Sequence, residues 1–535
     1  MNTHASSAYA DTQHERSLAY TQRWPEWVSC LAIVAVWFGA TAWLRPLAIP
    51  DEGRYVGVSW EMLRSGDWLV PTMDGLPFFH KPPLFYWITA GSIQLFGPGV
   101  MASRAAAWLA SVSTATALFV FVRRWVGPAQ AWTTVTVLAT APLFYGAAQY
   151  ANLDMLVAAC ISAAILLAAH AALARTSGLP FGRALAAAFV AAALGVLAKG
   201  LIGAVLPLLV LSAWGVATQR LGKVLALLMW APGWLLFVAV AAPWFIAMQQ
   251  RFPDFGHYFF TVQQVQRFSS TGFNNPQPWW FYPTVLIALT LPWSPWLVGL
   301  LGRRYWVQTR HAELRLLMLV WIGVVTVFFS LPGSKLVGYI LPALPPLAFL
   351  IADAARCLRE NGSARKWLRP TAALAGIACL AAAAVAHFYQ PKSQQALAES
   401  LAAAAKPGEP VVFLDNYYYD IMFYARLDAP ALVVDQWRPS EVAKDSWRRE
   451  LVDAARFAPT GAARRLLHPD EAEAALCRAP SSWVVGPWPA APLPAWLAAQ
   501  APTYQSGTTA LWHIVPSVPT VHAALHCHET PKAAA

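Results

Sequence analysis

Residues 150–174 read YANLDMLVAACISAAILLAAHAALA. Beyond Asp154, only Ser162 and His170 interrupt about 20 apolar positions, the length a helix needs to cross the hydrocarbon core of a bilayer. Comparable runs recur at 28–48, 100–122, 128–148, 184–199, 200–217, 226–247, 281–301, 316–331, 338–355 and 370–388. The sequence thus predicts an all-α polytopic membrane protein with 11 spans, or up to 13 if some are split or re-entrant. Composition agrees, with 57% hydrophobic and 12% charged residues among 535, which excludes a soluble globule. The 27 Trp and 41 Pro suit aromatic belts at membrane interfaces and broken helices within them.

The net charge of +11 is unevenly spread, because residues 389–535 carry 12 basic and 14 acidic side chains. The excess therefore surrounds the spans and gives no argument for a nucleic-acid partner. Arg123 and Arg124, Arg175 and Arg183, Arg220 and Lys223, Arg303 through Arg315, and Arg356 through Arg369 occupy every second loop, and Arg16 and Arg23 share their side. The positive-inside rule makes these loops cytoplasmic. The organisation that follows is a cytoplasmic segment 1–27, a membrane domain 28–388 with outer loops near 49–99 and 248–280, and a periplasmic α/β domain 389–535. In the last, VVFLD, ALVVD and SWVVG read as buried strands and residues 441–457 as an amphipathic helix. The loop 49–99 is too interrupted for spans and reads as short amphipathic pieces lying along the interface.

Four of the six cysteines fall in or beside apolar helices, which leaves Cys477 and Cys527 as the one pair able to bridge. His522, His526, Cys527 and His528 have loose metal-like spacing in an Ala- and Pro-rich tail and read as a frayed terminus. The aromatic stretches 279–282 and 293–296 read as an interfacial belt. Asp415 and Asp420 read as solvated or capping acids.

Chemistry points to the outer face. Asp51 and Glu52 follow the first span in IPDEGRY, and Asp154 opens the fourth. Acids at helix ends beside hydrocarbon need partners. On the same face lie Arg54, Lys81 in FFHKPP, Lys199 in LAKGLIG, Arg267 in VQRF, and Lys335 and Tyr339 in PGSKLVGYILP. Cations there run against the positive-inside tendency and ask for an anionic ligand. Neither GxGxxG nor GxxxxGK[ST] occurs, so the anion expected is a lipid phosphate reached from the bilayer.

The runs DEGRYVGVSWEMLRSGDWLVP and GLPFFHKPPLFYWITAGSIQLFG, followed by LDMLVAA, KGLIGAVLP and SKLVGYILP, resemble the bacterial GT-C glycosyltransferases of the lipid A aminoarabinose transferase (ArnT) type, relatives of the protein O-mannosyltransferases. The stretch 428–457 is similar to the periplasmic domain of that group. The resemblance implies an enzyme of the bacterial inner membrane, acting as a monomer, that moves 4-amino-4-deoxy-L-arabinose from undecaprenyl phosphate to lipid A. It implies Asp51, Asp154 and Glu52 as catalytic-site acids, with Lys81, Arg267 and Tyr339 holding the donor phosphate and Lys199, Lys335 and Arg54 assisting. Family members usually show an acid before the KP lysine and a Glu-His pair before QRF, where this chain has His80 and Gln263-Gln264. A divalent metal ion would then rest on His80 with Asp51 alone.

An alternative keeps the fold and the polyprenyl-phosphate donor and moves a hexose to a protein hydroxyl or another envelope glycan. A transporter would place its ionisable residues along a path through the bundle, whereas here they gather at one face. The charge alternation yields a direct test: a reporter fused after residue 389 is expected to be active only outside the cytoplasm. Activity inside would invert every outer-face assignment.

Overall fold

The computed structural model describes residues 25–266, 275–307, 311–360, 364, 366–389, 393–438, 440, 442–443, 446–489, 493–498 and 500–527. Seven described helices are long and apolar enough to cross a membrane, and the chain is a multi-pass membrane protein. At 24 residues, Leu153–Thr176 extends about 36 Å at 1.5 Å per residue. It is buried along most of its length and packs against Gly182–Lys199, Ala105–Trp125 and Ile202–Ala217. The helix that carries Asp154 is therefore the axis of the bundle.

Several expected spans differ in form. Run 128–148 divides into Pro128–Ala139 and Pro142–Ala148, because Pro142 has no N–H with which to continue the ladder. Run 281–301 divides into Phe281–Ala288 and the 3₁₀ segment Ser294–Leu301. Trp293, expected in an interfacial belt, is buried and donates from its indole to Thr140 Oγ1 at 2.9 Å, which plugs both breaks. Trp296 is buried too, whereas Trp279 and Trp280 are exposed as a belt requires. Glu26–Gly39 and Ile202–Ala217 are apolar but shorter than a full span.

The first outer loop folds as the helix Asp51–Ser65, a hairpin of β1 (Thr72–Met73) and β2 (Leu76–Pro77), and the helix Leu84–Phe96. Glu61 organises this hairpin by accepting hydrogen bonds from Thr72 Oγ1 at 2.9 Å and from the N–H groups of Asp74 and Gly75 at 2.7 and 2.8 Å.

The C-terminal region holds a six-stranded sheet in the order β5-β4-β3-β6-β8-β7, built from β3 (Val411–Leu414), β4 (Leu432–Val434), β5 (Leu466–Leu467), β6 (Ser482–Pro487), β7 (Tyr504–Ser506) and β8 (Thr509–Ile514). The first four are parallel and the last two complete an antiparallel edge. The three strands read from the sequence are β3, β4 and β6; β5 and β7 carry too few apolar residues in a row to signal themselves, and β8 (TALWHI) escaped the sequence reading. Of the helix expected over 441–457, the described residues show Arg448–Ala455. Asp420 caps rather than meets solvent: it is fully buried and accepts from the Gln394 N–H at 2.8 Å at the start of Gln395–Ala404.

This domain sits directly on the outer loop. Trp60 Nε1 donates to the Leu427 carbonyl at 2.9 Å, the Leu47 N–H donates to the Tyr424 hydroxyl at 2.7 Å, and Ala431 N–H donates to Asp74 at 2.9 Å. The buried side chains of loop, bundle and sheet form one continuous core.

Cys477 and Cys527 form a disulfide, while Cys30, Cys160, Cys357 and Cys379 are free. The described part of the tail, up to Cys527, instead forms the helix Pro519–Ala524 and is tied back by that bridge, while His528 lies outside the described residues. A cross-link over a sequence separation of 50 contributes about 4 kcal/mol on the chain-entropy account. Cys477→Ser in the full chain is expected to lower the thermal midpoint of the C-terminal domain, with reductant abolishing the difference from wild type; equal midpoints without reductant would deny the bridge a stabilising role.

Candidate active site

The outer face is built around Glu52, which has no exposed surface. Its Oε1 accepts from Arg104 Nε at 2.9 Å and the Ala151 N–H at 2.7 Å; its Oε2 accepts from Arg104 Nη2 at 3.1 Å, the Ala48 N–H at 2.8 Å and Arg45. Burial by itself would raise this carboxyl, but the two guanidiniums prevail and hold it at about 2. Arg104 and Arg45 also donate to the carbonyls of Ala42, Pro46 and Gln149. One carboxylate thereby joins the end of the first helix, the start of Asp51–Ser65, the cap of Ala105–Trp125 and the turn before Asp154. Arg45 and Arg104 escaped the sequence reading although they too are outer-face cations, the same signal that singled out Lys81 and Lys199.

Asp51, one residue earlier, points the other way and keeps 47% of its side-chain surface exposed. Loss of bulk water at the mouth of the site, joined by the charges of Asp154, Glu450 and Glu52, raises its carboxyl above the usual aspartate range, against the opposing pull of Arg54. Arg54 is 3.3 Å from Asp51 and 3.0 Å from Glu450 in the C-terminal domain, and its guanidinium lies over the Tyr419 ring at 5.2 Å. The expected phosphate-assisting Arg54 is thus a link between loop and domain.

Asp154 occupies the first turn of its helix, where its N–H donates to Asn152 Oδ1 at 2.8 Å. Its carboxylate pairs with Lys199 at the end of Gly182–Lys199. Lys199 Nζ also lies 4.1 Å from the centroid of the Tyr339 ring, a cation–π contact. A Cβ on residue 338 would stand 2.4 Å from Asp154 Oδ2, so Gly338 is what lets the segment bearing Tyr339 approach the acid.

Lys81, Lys199, Gln263, Gln264, Ser334 and Tyr339 line one cavity of about 110 Å³, with Phe328, Phe329 and Ile202 as its apolar wall. Gly200, at φ +114°, turns the chain beside it and leaves room for the Gln264 amide, which a Cβ would meet at 2.5 Å. Four chain segments far apart in sequence supply this lining. Lys81 and Tyr339, expected to share a ligand, do meet.

Other expected residues part from this group. Lys335 is buried, and its ammonium donates to the carbonyls of Gln277 at 2.8 Å and Pro332 at 2.7 Å, so it ties off a loop instead of facing the cavity. Arg267 lies outside the described residues. His80 Nε2 is 3.8 Å from Asp453 Oδ2. Burial would raise Asp453, but His80, Arg449 at 3.0 Å and the Tyr258 hydroxyl at 3.0 Å hold it below the usual range. Gln263 Nε2 donates to that same hydroxyl at 2.8 Å. This arc of His80, Asp453, Tyr258 and Gln263 joins both outer loops to the C-terminal domain. A metal does not fit here: among the described residues no three His, Cys, Asp or Glu side chains converge, and His80 is matched with Asp453 rather than Asp51.

The architecture has known counterparts. The crystal structure of ArnT from Cupriavidus metallidurans bound to undecaprenyl phosphate superposes with a TM-score of 0.76 over 92% of this chain and 98% of that one, at 24% identity. The chain has the GT-C fold of the ArnT type. The Archaeoglobus fulgidus oligosaccharyltransferase in its apo form is a more distant likeness, with a TM-score of 0.53 over 88% of this chain and 70% of that one, at 14% identity. Residues 41–259 match the family described as dolichyl-phosphate-mannose-protein mannosyltransferase. In sequence the chain is 34% identical over 376 residues to the undecaprenyl phosphate-alpha-4-amino-4-deoxy-L-arabinose arabinosyl transferase of Aeromonas hydrophila, covering 67% of this chain and 66% of that one. A Shewanella sediminis protein of the same name is 33% identical, with 62% and 61% covered. The chain thus matches slightly under two thirds of the length of these relatives.

The geometry separates two neighbouring acids. Glu52→Gln removes the charge that neutralises two buried guanidiniums and is expected to cost about 3–5 kcal/mol, read as a lowered thermal midpoint or loss of protein from the membrane. Asp51→Asn, at a half-buried position, is expected to leave the midpoint nearly unchanged. Equal destabilisation by both would mean that Glu52 does not frame the site.

Proposed function

We propose that this chain is a glycosyltransferase of the inner membrane that moves 4-amino-4-deoxy-L-arabinose from undecaprenyl phosphate to lipid A at the periplasmic face. The observation that carries the reading is the convergence of Lys81, Lys199 and Tyr339 on one small cavity beside Asp154, whose charge Asp51 feels. The arabinosyl transferase names of the sequence relatives support the sugar and the donor. The disulfide supports an oxidising compartment for the C-terminal domain.

In this reaction the bond between the anomeric carbon and the phosphate oxygen breaks, and its electron pair leaves on the phosphate. Lys81 and the Tyr339 hydroxyl stabilise that charge, each preplaced donor being worth about 3 kcal/mol, or roughly 10²–10³ in rate. Lys199, already paired with Asp154, adds positive potential without being drawn away from its acid. The acceptor oxygen forms the new bond from the opposite side of the sugar. A lipid A phosphate is anionic and needs no proton removed, so Asp51 orients it; a hydroxyl acceptor would pass its proton to Asp51. Glu52, with both oxygens saturated by donors, positions these groups and touches no substrate.

A second reading, hexose transfer to a protein or another glycan, is favoured by the mannosyltransferase family match and by the neutral Gln263-Gln264 pair at the cavity. Mass spectrometry of lipid A from cells with and without the chain decides: an aminoarabinose adduct present only with the chain supports the first reading, and identical lipid A overturns it.

Two further results are expected. Lys81→Ala should weaken undecaprenyl phosphate binding by roughly 10- to 100-fold, the value of a charge-assisted hydrogen bond, and the loss with Tyr339→Phe should be non-additive because one phosphate is shared. Additive losses would assign the residues to different ligands. Because burial and like charges raise Asp51, its ionised form is lost on acidification at a higher pH than for a free aspartate near 3.9. Turnover should therefore fall on the acid side with a midpoint above that value, and Asp51→Asn should remove this limb together with most activity. Activity of the Asn variant near wild type would deny Asp51 its role.

A further inference from the structure

A second polar cavity lies at the opposite end of the bundle, and the transfer reaction makes no use of it. Its volume is about 310 Å³, and it is lined by Ala129, Gln130 and Thr133 from Pro128–Ala139 and by Arg356 and Arg359 from Leu344–Glu360, with Leu368 as its outer wall. Leu344–Glu360 starts next to the segment carrying Tyr339, and its 17 residues place Arg356 and Arg359 about 25 Å away from the acid face. The Lys/Arg alternation puts this end on the cytoplasmic side.

Several independent features make the cavity a receptor for an anion. The helix of 12 residues beginning at Pro128 turns its N-terminus toward it, and the first-turn N–H groups of Ala129 and Gln130 have no acceptor within the helix. Gln130 is 94% buried, and its Nε2 has no hydrogen-bond partner among the described residues. Arg356 Nε is likewise buried without a partner, although the same guanidinium reaches Asp353 through Nη2 at 2.5 Å. Among the described side chains, Asp353 is the acid paired with Arg356, and Arg315 Nε at 2.6 Å already matches it, so these arginines exceed the acid they share. Arg359 is exposed and forms no salt bridge among the described residues. An unpaired buried amide and an unpaired guanidinium N–H each cost free energy unless an acceptor arrives. The surroundings say where that acceptor comes from. Leu368 opens the helix Leu368–Phe388, most of which is exposed as a lipid-facing helix would be, and the preceding Trp367 is 58% exposed, the position of an interfacial aromatic.

We propose that this cavity binds the headgroup phosphate of an anionic phospholipid of the cytoplasmic leaflet, with the Gln130 amide, Arg356 Nε, Arg359 and the helix N-terminus as donors. This assignment stands apart from the transfer reaction, since it uses no residue of the outer face.

The test uses the full chain, delipidated in a neutral detergent, and titrated with phosphatidylglycerol, phosphatidylethanolamine or inorganic phosphate. Binding is read by native mass spectrometry and by the shift in thermal midpoint. Phosphatidylglycerol is expected to remain bound and to raise the midpoint, while the zwitterionic lipid and free phosphate do not. Arg359→Gln, at an exposed position, should keep the lipid-free midpoint and weaken phosphatidylglycerol binding about fivefold, the value of one basic side chain at an anionic surface. Arg359→Lys should restore most of it, and Gln130→Leu combined with Arg359→Gln should weaken it further. An equal shift with phosphatidylethanolamine would overturn the proposal. So would a phosphate-only response, or wild-type affinity in Arg359→Gln.

Discussion

A single buried carboxylate sets the geometry of the outer face. Glu52, fully buried, collects five donors from three other stretches of chain. Two guanidiniums against one carboxylate in a dry site give strong mutual attraction, and each arginine spends its remaining N–H groups on backbone carbonyls. The loop that begins at residue 51 thus leaves the membrane in a fixed direction. Asp51 is turned outward, within the field of Asp154, by the same turn that buries its neighbour.

The outer-face cations sort by what neutralises them. Arg45 and Arg104 are consumed by Glu52, Arg54 by Glu450 and Asp51, and Lys335 by backbone carbonyls. Lys81 and Lys199 are the ones that line the cavity, beside a tyrosine and two glutamines. Of the two, Lys199 is paired with Asp154, so the cavity is lined by one ion pair and one further ammonium beside neutral donors. This division suits the phosphate donor proposed for the site.

The sequence made the membrane class plain because spans are long, apolar and separated by charged loops, a signal strong in each helix by itself. It also brought Lys81, Lys199, Tyr339 and Asp154 to notice, since charge on the outer side of a span needs a reason. What it could not carry was which charge serves which partner. Glu52 and Asp51 are adjacent and alike on paper, and only the packing of residues 45, 104 and 151 around one of them distinguishes framework from site. The same holds for Lys335, whose carbonyl partners have no side-chain signature. The arc of His80, Asp453, Tyr258 and Gln263 joins positions separated by nearly 400 residues, and no local pattern relates them. The run 128–148 reads as one span, so neither its break at Pro142 nor the Trp293 side chain that fills the gap is legible in it.

The seam between the membrane half and the C-terminal domain bears on how the protein is made. Asp51 and Arg54 lie near the beginning of the chain, and the carboxylate that completes their ion-pair set, Glu450, lies near its end. At about 5–20 residues per second, a ribosome needs roughly 20 to 80 s to cover the distance between them. For that interval Arg54 has been inserted and Glu450 does not yet exist. This face is consequently completed last, once the C-terminal domain has settled on Trp60 and Arg54, and until then its set of ion pairs stays unfinished.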